Sequence, residues 1–210
     1  MTGRLIVVDG IEGGGKTTHL AFIRACLERD GRSVIATREP GGTALGEAVR
    51  ELLLGHRGEG MAPSTETLLM FAARAEHLER VIRPALASGQ WVLCDRFTDA
   101  TYAYQGGGRG LSPDKIALLE TWVQEGLQPD LTLLFDLPVA LGLARAGRRG
   151  AADRFERERQ AFFERARSVY LERARRWPER YRIVDASRAP AEVRSEVEAL
   201  LAGWLERLDG

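Results

Sequence analysis

Asparagine is absent from this 210-residue chain, and only two of its 30 basic residues are lysines, Lys16 and Lys115. Without asparagine there can be no N-K-x-D guanine-binding sequence, so a Ras-type GTPase switch is excluded. The scarcity of lysine carries no mechanism and fits codon bias. The two cysteines, Cys26 and Cys94, lie far apart without a C-x-x-C pattern, which excludes a disulfide framework and reads as small buried hydrophobes in a reduced protein. His19, His56 and His77 lack metal-ligand spacing, and no Ser-His-Asp or Cys-His arrangement is suggested. No run approaches the ~18 apolar residues of a membrane span, and the N-terminus lacks the cationic and apolar segments of a signal peptide. The expected compartment is therefore the cytoplasm. Charge of one sign is missing too: 30 acidic residues cancel the 30 basic ones, leaving no global field to draw in nucleic acid or an anionic membrane.

What the chain does contain begins at residue 5. The apolar run Leu5-Ile6-Val7-Val8 leads into Gly10-Ile11-Glu12-Gly13-Gly14-Gly15-Lys16-Thr17, followed by Thr18. This is G-x-x-x-x-G-K-T in the strand, loop and helix setting of a phosphate-binding P-loop. The glycines let successive backbone N–H groups turn toward phosphates, Lys16 supplies a point charge to the β and γ oxygens, and the Thr17 hydroxyl can ligate Mg²⁺. A chance glycine-rich turn is the bland alternative, and the full motif in context argues against it. Further short apolar runs at 33–36, 91–94, 131–135 and 181–184 read as strands. Helical periodicity near 16–29, 43–54, 65–87, 113–125, 138–146, 154–176 and 190–208 separates them, so alternation predicts one α/β domain over 1–210 with a parallel sheet covered on both faces. Gly106 to Gly110 reads as a loop, and Ser112-Pro113 as a helix start.

Candidate site residues follow from the ends of the strands, where ligands of α/β sheets bind. Asp95 closes the third strand and is placed for the Mg²⁺ shell, while the adjacent Arg96 suits an acceptor phosphate; an ordinary strand-end ion pair is the alternative. Asp9 closes the first strand, and Glu12 inside the loop faces a hydroxyl or metal, or else solvent. Arg38, in Thr37-Arg38-Glu39-Pro40-Gly41-Gly42-Thr43, either clamps a second phosphate or is an exposed loop arginine. Phe71 and Arg74, three apart on a helix, offer an aromatic plane beside a planar cation, suited to a nucleobase, though such a pair is also common at a core edge. Residues 145–154 carry Arg145, Arg148, Arg149 and Arg154 between glycines, the composition of a lid over a transferring phosphoryl group or of a solvated basic loop. Beyond it, Arg157, Arg159, Arg165 and Arg167 alternate with glutamates as a solvated helix face would.

Taken together, Asp9 to Thr18, Thr37 to Thr43, Phe71-Ala72-Ala73-Arg74, Asp95-Arg96-Phe97 and Tyr104-Gln105-Gly106-Gly107-Gly108-Arg109-Gly110 resemble the bacterial thymidylate kinases in order and spacing, from about residue 3 to the C-terminal helix. The resemblance implies a P-loop NTPase fold with a five-stranded parallel sheet ordered 2-3-1-4-5, and a homodimer. It implies MgATP as donor at Gly10 to Thr18 and dTMP as acceptor across Asp9, Glu12, Arg38, Pro40, Phe71, Arg74, Arg96, Thr101, Tyr104 and Gln105, yielding dTDP for dTTP biosynthesis. Phe71 would stack on thymine; Arg74 with Thr101 or Gln105 would read its polar edge. Arg38 and Arg96 would hold the acceptor phosphate, and Tyr104 would crowd a 2′-OH. Thr17, Asp95 and Asp9 would stand around the metal. The P-loop carries no arginine, so the chain resembles members whose catalytic arginine comes from the lid, here Arg149 assisted by Arg145 and Arg154. Phe97 replaces the tyrosine or histidine common there. A related nucleoside monophosphate or deoxynucleoside kinase, and a P-loop switch or motor ATPase, are the rival readings.

Overall fold

The structure, a computed structural model, describes residues 3–55, 60–147, 154–156 and 158–209. Strands β1 (Leu5–Asp9), β2 (Val34–Arg38), β3 (Trp91–Asp95), β4 (Leu131–Asp136) and β5 (Tyr181–Asp185) form one sheet in the order β2-β3-β1-β4-β5. Every pairing in it is parallel. Burial of both faces explains why β1 is apolar at successive positions instead of alternating. Leu5 and Val7 pack on one side with Leu78, Ile82 and Ala85. Ile6 and Val8 pack on the other, in the larger core that includes Ile23, Leu27, Val197 and Leu201.

The helices are α1 (Lys16–Arg29), α2 (Ala44–Leu54), α3 (Pro63–His77), α4 (Arg83–Ala87), α5 (Thr98–Thr101), α6 (Pro113–Gln124), α7 (Val139–Ala146), α8 (Gln160–Arg176) and α9 (Pro190–Asp209). Local chemistry sets several of their ends. The Thr43 side chain accepts from Gly46 N at 2.9 Å at the start of α2, and Ser112 accepts from Asp114 N ahead of Pro113 in α6, as helix N-caps do. The expected helix 65–87 is divided: a π-helical turn, Leu78–Ile82, joins α3 to α4. Pro84, on the second residue of α4, has no N–H and collides with a carbonyl four residues back, and a widened turn just before it relieves both.

Several expectations are corrected along the chain. Residues 98–108 form helix, α5 running into a π-helical turn at Tyr102–Gly108, where Gly106 to Gly110 had read as a loop. Arg165 of α8 donates to the Gly107 and Gly108 carbonyls at 2.9 and 2.7 Å, satisfying groups that the turn leaves open. Arg165 remains exposed, as a solvated face requires, but is pinned to the turn, whereas Arg167 is only partly exposed and its guanidinium grips both Asp136 carboxylate oxygens. Helix α8 also begins at Gln160 and not at 154. Cys94 is buried and Cys26 half-buried, both free thiols, and no helix among the described residues is long and apolar enough to cross a membrane.

Register aligns the chemistry. Asp95 pairs with Arg38 on β2 and with Val8 on β1, which puts Asp9, Arg38 and Asp95 at one carboxyl edge of the sheet.

Candidate active site

The P-loop wraps that edge. Gly13 adopts φ +76, and a Cβ there would lie 2.1 Å from the Gly142 carbonyl oxygen of α7, so only glycine fits. Gly15 precedes helix α1 as its N-cap, with no side-chain cap and no acid in the first turn. The leading N–H groups of the helix and its positive dipole end are therefore left for an anion. The Lys16 ammonium donates to the Gly10 and Ile11 carbonyls, both at 2.8 Å. Burial, reinforced by the Arg96 charge, pulls Lys16 from its usual value down to about 8. Thr17 lines the same cleft; Thr18 is exposed and does not.

Behind the loop stands a buried polar cluster. Arg96 adopts φ +68, rare for a side chain with a Cβ and characteristic of strained functional positions. Its guanidinium reaches Glu12 at 2.5 Å, the Gly10 carbonyl at 3.1 Å and Asp9 at 3.7 Å, and lies over the Tyr104 ring. The Tyr104 hydroxyl donates to Glu12 at 2.9 Å, so Glu12 meets a hydroxyl, not open solvent. Asp9 is fully buried and does not line the cleft. Its Oδ1 accepts from the Tyr170 hydroxyl and from Gly10 N, while its Oδ2 has no hydrogen-bond partner. Burial is the main cause that lifts the Asp9 carboxyl to about 6, against the pull of Arg96. Asp95 lines the cleft with a buried, unpartnered Oδ1.

The cleft continues away from the P-loop into a slot bounded by Pro40, Leu54, Met70, Phe97 and Ala100. Arg74, Thr101 and Gln105 give it polar edges. Arg74 Nη2 donates to Thr101 at 3.1 Å and Gln105 Nε2 donates to buried Glu66 at 2.8 Å. Arg74 Nη1 is buried without a partner, a donor awaiting an acceptor.

Phe71 is the clearest departure from expectation. It is 2% exposed, packs with Tyr102 and Ile116 in a separate cluster and does not line the cleft. Its ring lies against the Arg74 guanidinium at 4.7 Å, on the side away from the slot. Met70 takes the place facing the cleft, because one residue of helix rotates a side chain by about 100°. A second departure concerns the cations. Arg38 is about half exposed, bound to Glu47 at 2.7 Å, and is not among the cleft residues. Arg50 lines the cleft instead, donating to the Pro40 carbonyl at 3.0 Å. Burial, with Arg38 and Arg96 nearby, holds Arg50 below its ordinary value. Sequence reading missed both Met70 and Arg50, although Arg50 is the only cation of α2 and shares its inner side with Gly46, Val49 and Leu53.

Of the lid arginines, Arg149 lies outside the described residues, as does His56. Arg145 is turned from the cleft, donating to the Ala186 and Ser187 carbonyls at 2.6 and 3.0 Å. Arg154 is held by Glu66 at 2.6 Å and by the Leu53 carbonyl at 2.7 Å, so neither is free to assist in this arrangement, while Phe155 and Glu156 close the cleft rim. His19 and His77 are buried, and no group of three or more metal-ligating side chains occurs among the described residues.

Comparison with known proteins agrees with this geometry. The thymidylate kinase family model matches residues 8–197. Thymidylate kinase of Pseudomonas putida strain GB-1 is 60% identical over 210 residues, covering 100% of both chains. That of Pseudomonas syringae pv. tomato is 59% identical over 206 residues, 98% of each. The crystal structure of thymidylate kinase from Ehrlichia chaffeensis superposes with a TM-score of 0.77 at 31% identity, over 96% of this chain and 99% of that one. A P-loop, an open slot with polar edges and full-length similarity thus agree, and the chain belongs to the thymidylate kinase family.

Proposed function

We propose that this protein transfers the γ-phosphoryl group of MgATP to dTMP, forming dTDP and ADP for dTTP synthesis in the cytoplasm. One observation carries the reading: Lys16 and Thr17 of the P-loop share a single cleft with Arg74, Thr101 and Gln105. Donor and acceptor can therefore be held in line, which supplies most of the catalysis in phosphoryl transfer. Gln105 spends its Nε2 on Glu66, so its side-chain carbonyl is the group it can offer a base as acceptor, while Arg74 Nη1 is an unpartnered donor in the same cleft wall. That donor–acceptor pair matches the O4 and N3–H of thymine or uracil and opposes the N4 amine of cytosine.

The acceptor phosphate, mostly dianionic near pH 7, needs no protein base. Arg50 and Arg96 on the cleft wall are placed to hold it, and Lys16 with the free N–H groups of α1 to hold the donor phosphates. Magnesium fits the residues present: Asp95 offers an unpartnered oxygen, and it lines the same cleft as Thr17, whose hydroxyl is a suitable oxygen ligand. When bound, the ion would neutralise charge across the β and γ oxygens. Arg149, in the lid 145–154, is the proposed source of transition-state charge. The domain acts as a homodimer, a reading supported by α3 and α6 presenting the large apolar side chains Leu68, Leu118 and Trp122 at 56%, 72% and 77% exposure, as interaction surfaces do.

Turnover with Mg²⁺ against dTMP, dUMP, UMP, CMP, AMP, GMP and thymidine, read as diphosphate product, tests the function. Strong preference for dTMP is expected; preference for CMP or a purine nucleotide would overturn the base assignment, and acceptor-independent hydrolysis would overturn the kinase reading.

A further inference from the structure

Below the slot, three ionisable side chains lie almost entirely out of water: Glu39 at 4%, Arg74 at 2% and His77 at 0% exposure. Glu39 Oε2 accepts from Arg74 Nε at 2.7 Å, and Glu39 Oε1 meets His77 Nδ1 at 3.0 Å. On the far side of the ring, His77 Nε2 meets the Thr37 hydroxyl at 2.6 Å. The tautomer with a proton on Nδ1 fills every role: the ring donates to Glu39 and accepts from Thr37, and the buried charges reduce to the Glu39–Arg74 pair. The ring is also clamped sterically. Gly42, at φ +79, abuts it so closely that a Cβ would sit 2.5 Å from Nε2. Three residues of the Thr37 to Thr43 segment, Thr37, Glu39 and Gly42, thus converge on one histidine of α3.

Arg74 is the output of this chain of contacts. The Phe71 and Phe97 rings lie 4.7 and 5.3 Å from its guanidinium carbon. Glu39 holds Nε and Thr101 holds Nη2, so the nitrogen left without a partner is Nη1, buried in a residue that lines the cleft. We propose that His77 is a positioning residue for base recognition: by fixing Glu39, it sets the direction in which Arg74 presents Nη1 to the carbonyl oxygen of the acceptor base. This inference rests on the proposed reading of Arg74 as the base-edge donor. If Glu39 loses its His77 donor, it is free to rotate about its bond to Arg74 and the guanidinium loses its fixed aim; a preorganised donor becomes one that must be ordered on binding.

The test is steady-state kinetics on His77→Leu, His77→Asn and Arg74→Leu, with melting temperature measured on each. His77→Leu should raise the KM for dTMP ~10-fold while kcat and the KM for ATP stay within about 2-fold. His77→Asn should restore most of the loss, because an asparagine Nδ2 can occupy the position of the ring Nδ1. In the Arg74→Leu background, His77→Leu should add nothing to the dTMP KM, since the two act through one donor. If the KM values for dTMP and ATP rise together with both His77 variants, the role is packing alone and the proposal is overturned. If Arg74→Leu raises the dTMP KM and His77→Leu does not, the positioning role fails and the base assignment stands; an unchanged KM in Arg74→Leu overturns the base assignment itself. Should His77→Leu not fold, Thr37→Val decides: a selective rise of ~3-fold in dTMP KM is expected, and no change refutes the proposal.

Discussion

Replacing Met70 and Phe71 by alanine, one at a time, asks which of two neighbouring side chains touches the acceptor base. Phe71 is 2% exposed and packed against Tyr102, Ile116 and the Arg74 guanidinium. Its truncation empties a filled core position, at a cost of about 3–5 kcal/mol, or roughly 6–20 °C of Tm for a chain of this size. The effect on the KM for dTMP is indirect, through a looser Arg74, and should stay below about 5-fold. Met70 is half-buried and faces the cleft, so alanine there removes three heavy atoms from one face of the slot. At about 0.8 kcal/mol per methylene-sized group, part of it in contact with the base, the loss is roughly 1–2 kcal/mol, or about 5- to 30-fold in dTMP KM. The KM for ATP should not follow. Initial rates with each substrate varied, beside thermal denaturation of both variants, separate the two roles. A Phe71→Ala enzyme that melts with the parent yet binds dTMP much more weakly than Met70→Ala would refute the assignment.

Other outcomes follow from the same geometry. Lys16 must be protonated to hold phosphate and titrates near 8 in the free enzyme, so kcat/KM for ATP should fall as pH rises through that value; a flat profile from pH 7 to 9.5 would contradict its place in the loop. Arg50→Ala should weaken dTMP by roughly 10- to 150-fold, the loss of one charge-assisted hydrogen bond to the acceptor phosphate, without a matching drop in Tm, because it also relieves repulsion with Arg38 and Arg96. Arg149→Ala should lower kcat by at least on the order of 10²-fold with little change in the KM for ATP; full retention would move the role to another lid arginine. Trp122→Glu, placing a charge at a position 77% exposed, should convert a dimer into a monomer by light scattering, and an unchanged mass would relocate the interface.

The sequence by itself determined the P-loop, the alternation of strands and helices, and the strand-end positions of Asp9 and Asp95, because each of these depends on residues adjacent or nearly adjacent in the chain. Gly13 and Lys16 announce their roles through backbone freedom and charge within one turn, and Ser112-Pro113 marks a helix start for equally local reasons. The structure decided what depends on direction. Phe71 and Arg74 do meet, as their spacing requires, but spacing cannot say on which side of Arg74 the cleft lies, and the answer selects Met70. Arg38 and Arg50 differ in the same way: β2 ends with Arg38 beside Glu47 and solvent, whereas the packing of α2 through Val49 and Leu53 turns Arg50 inward. The roles of Arg145, Arg154 and Arg165 were unreadable in a run of like residues, since each is fixed by partners 42, 88 and 58 positions away or more distant in kind, among them Ser187, Glu66 and Gly107. Composition and periodicity act over a few residues, while the choice of which face meets the ligand is made by long-range packing.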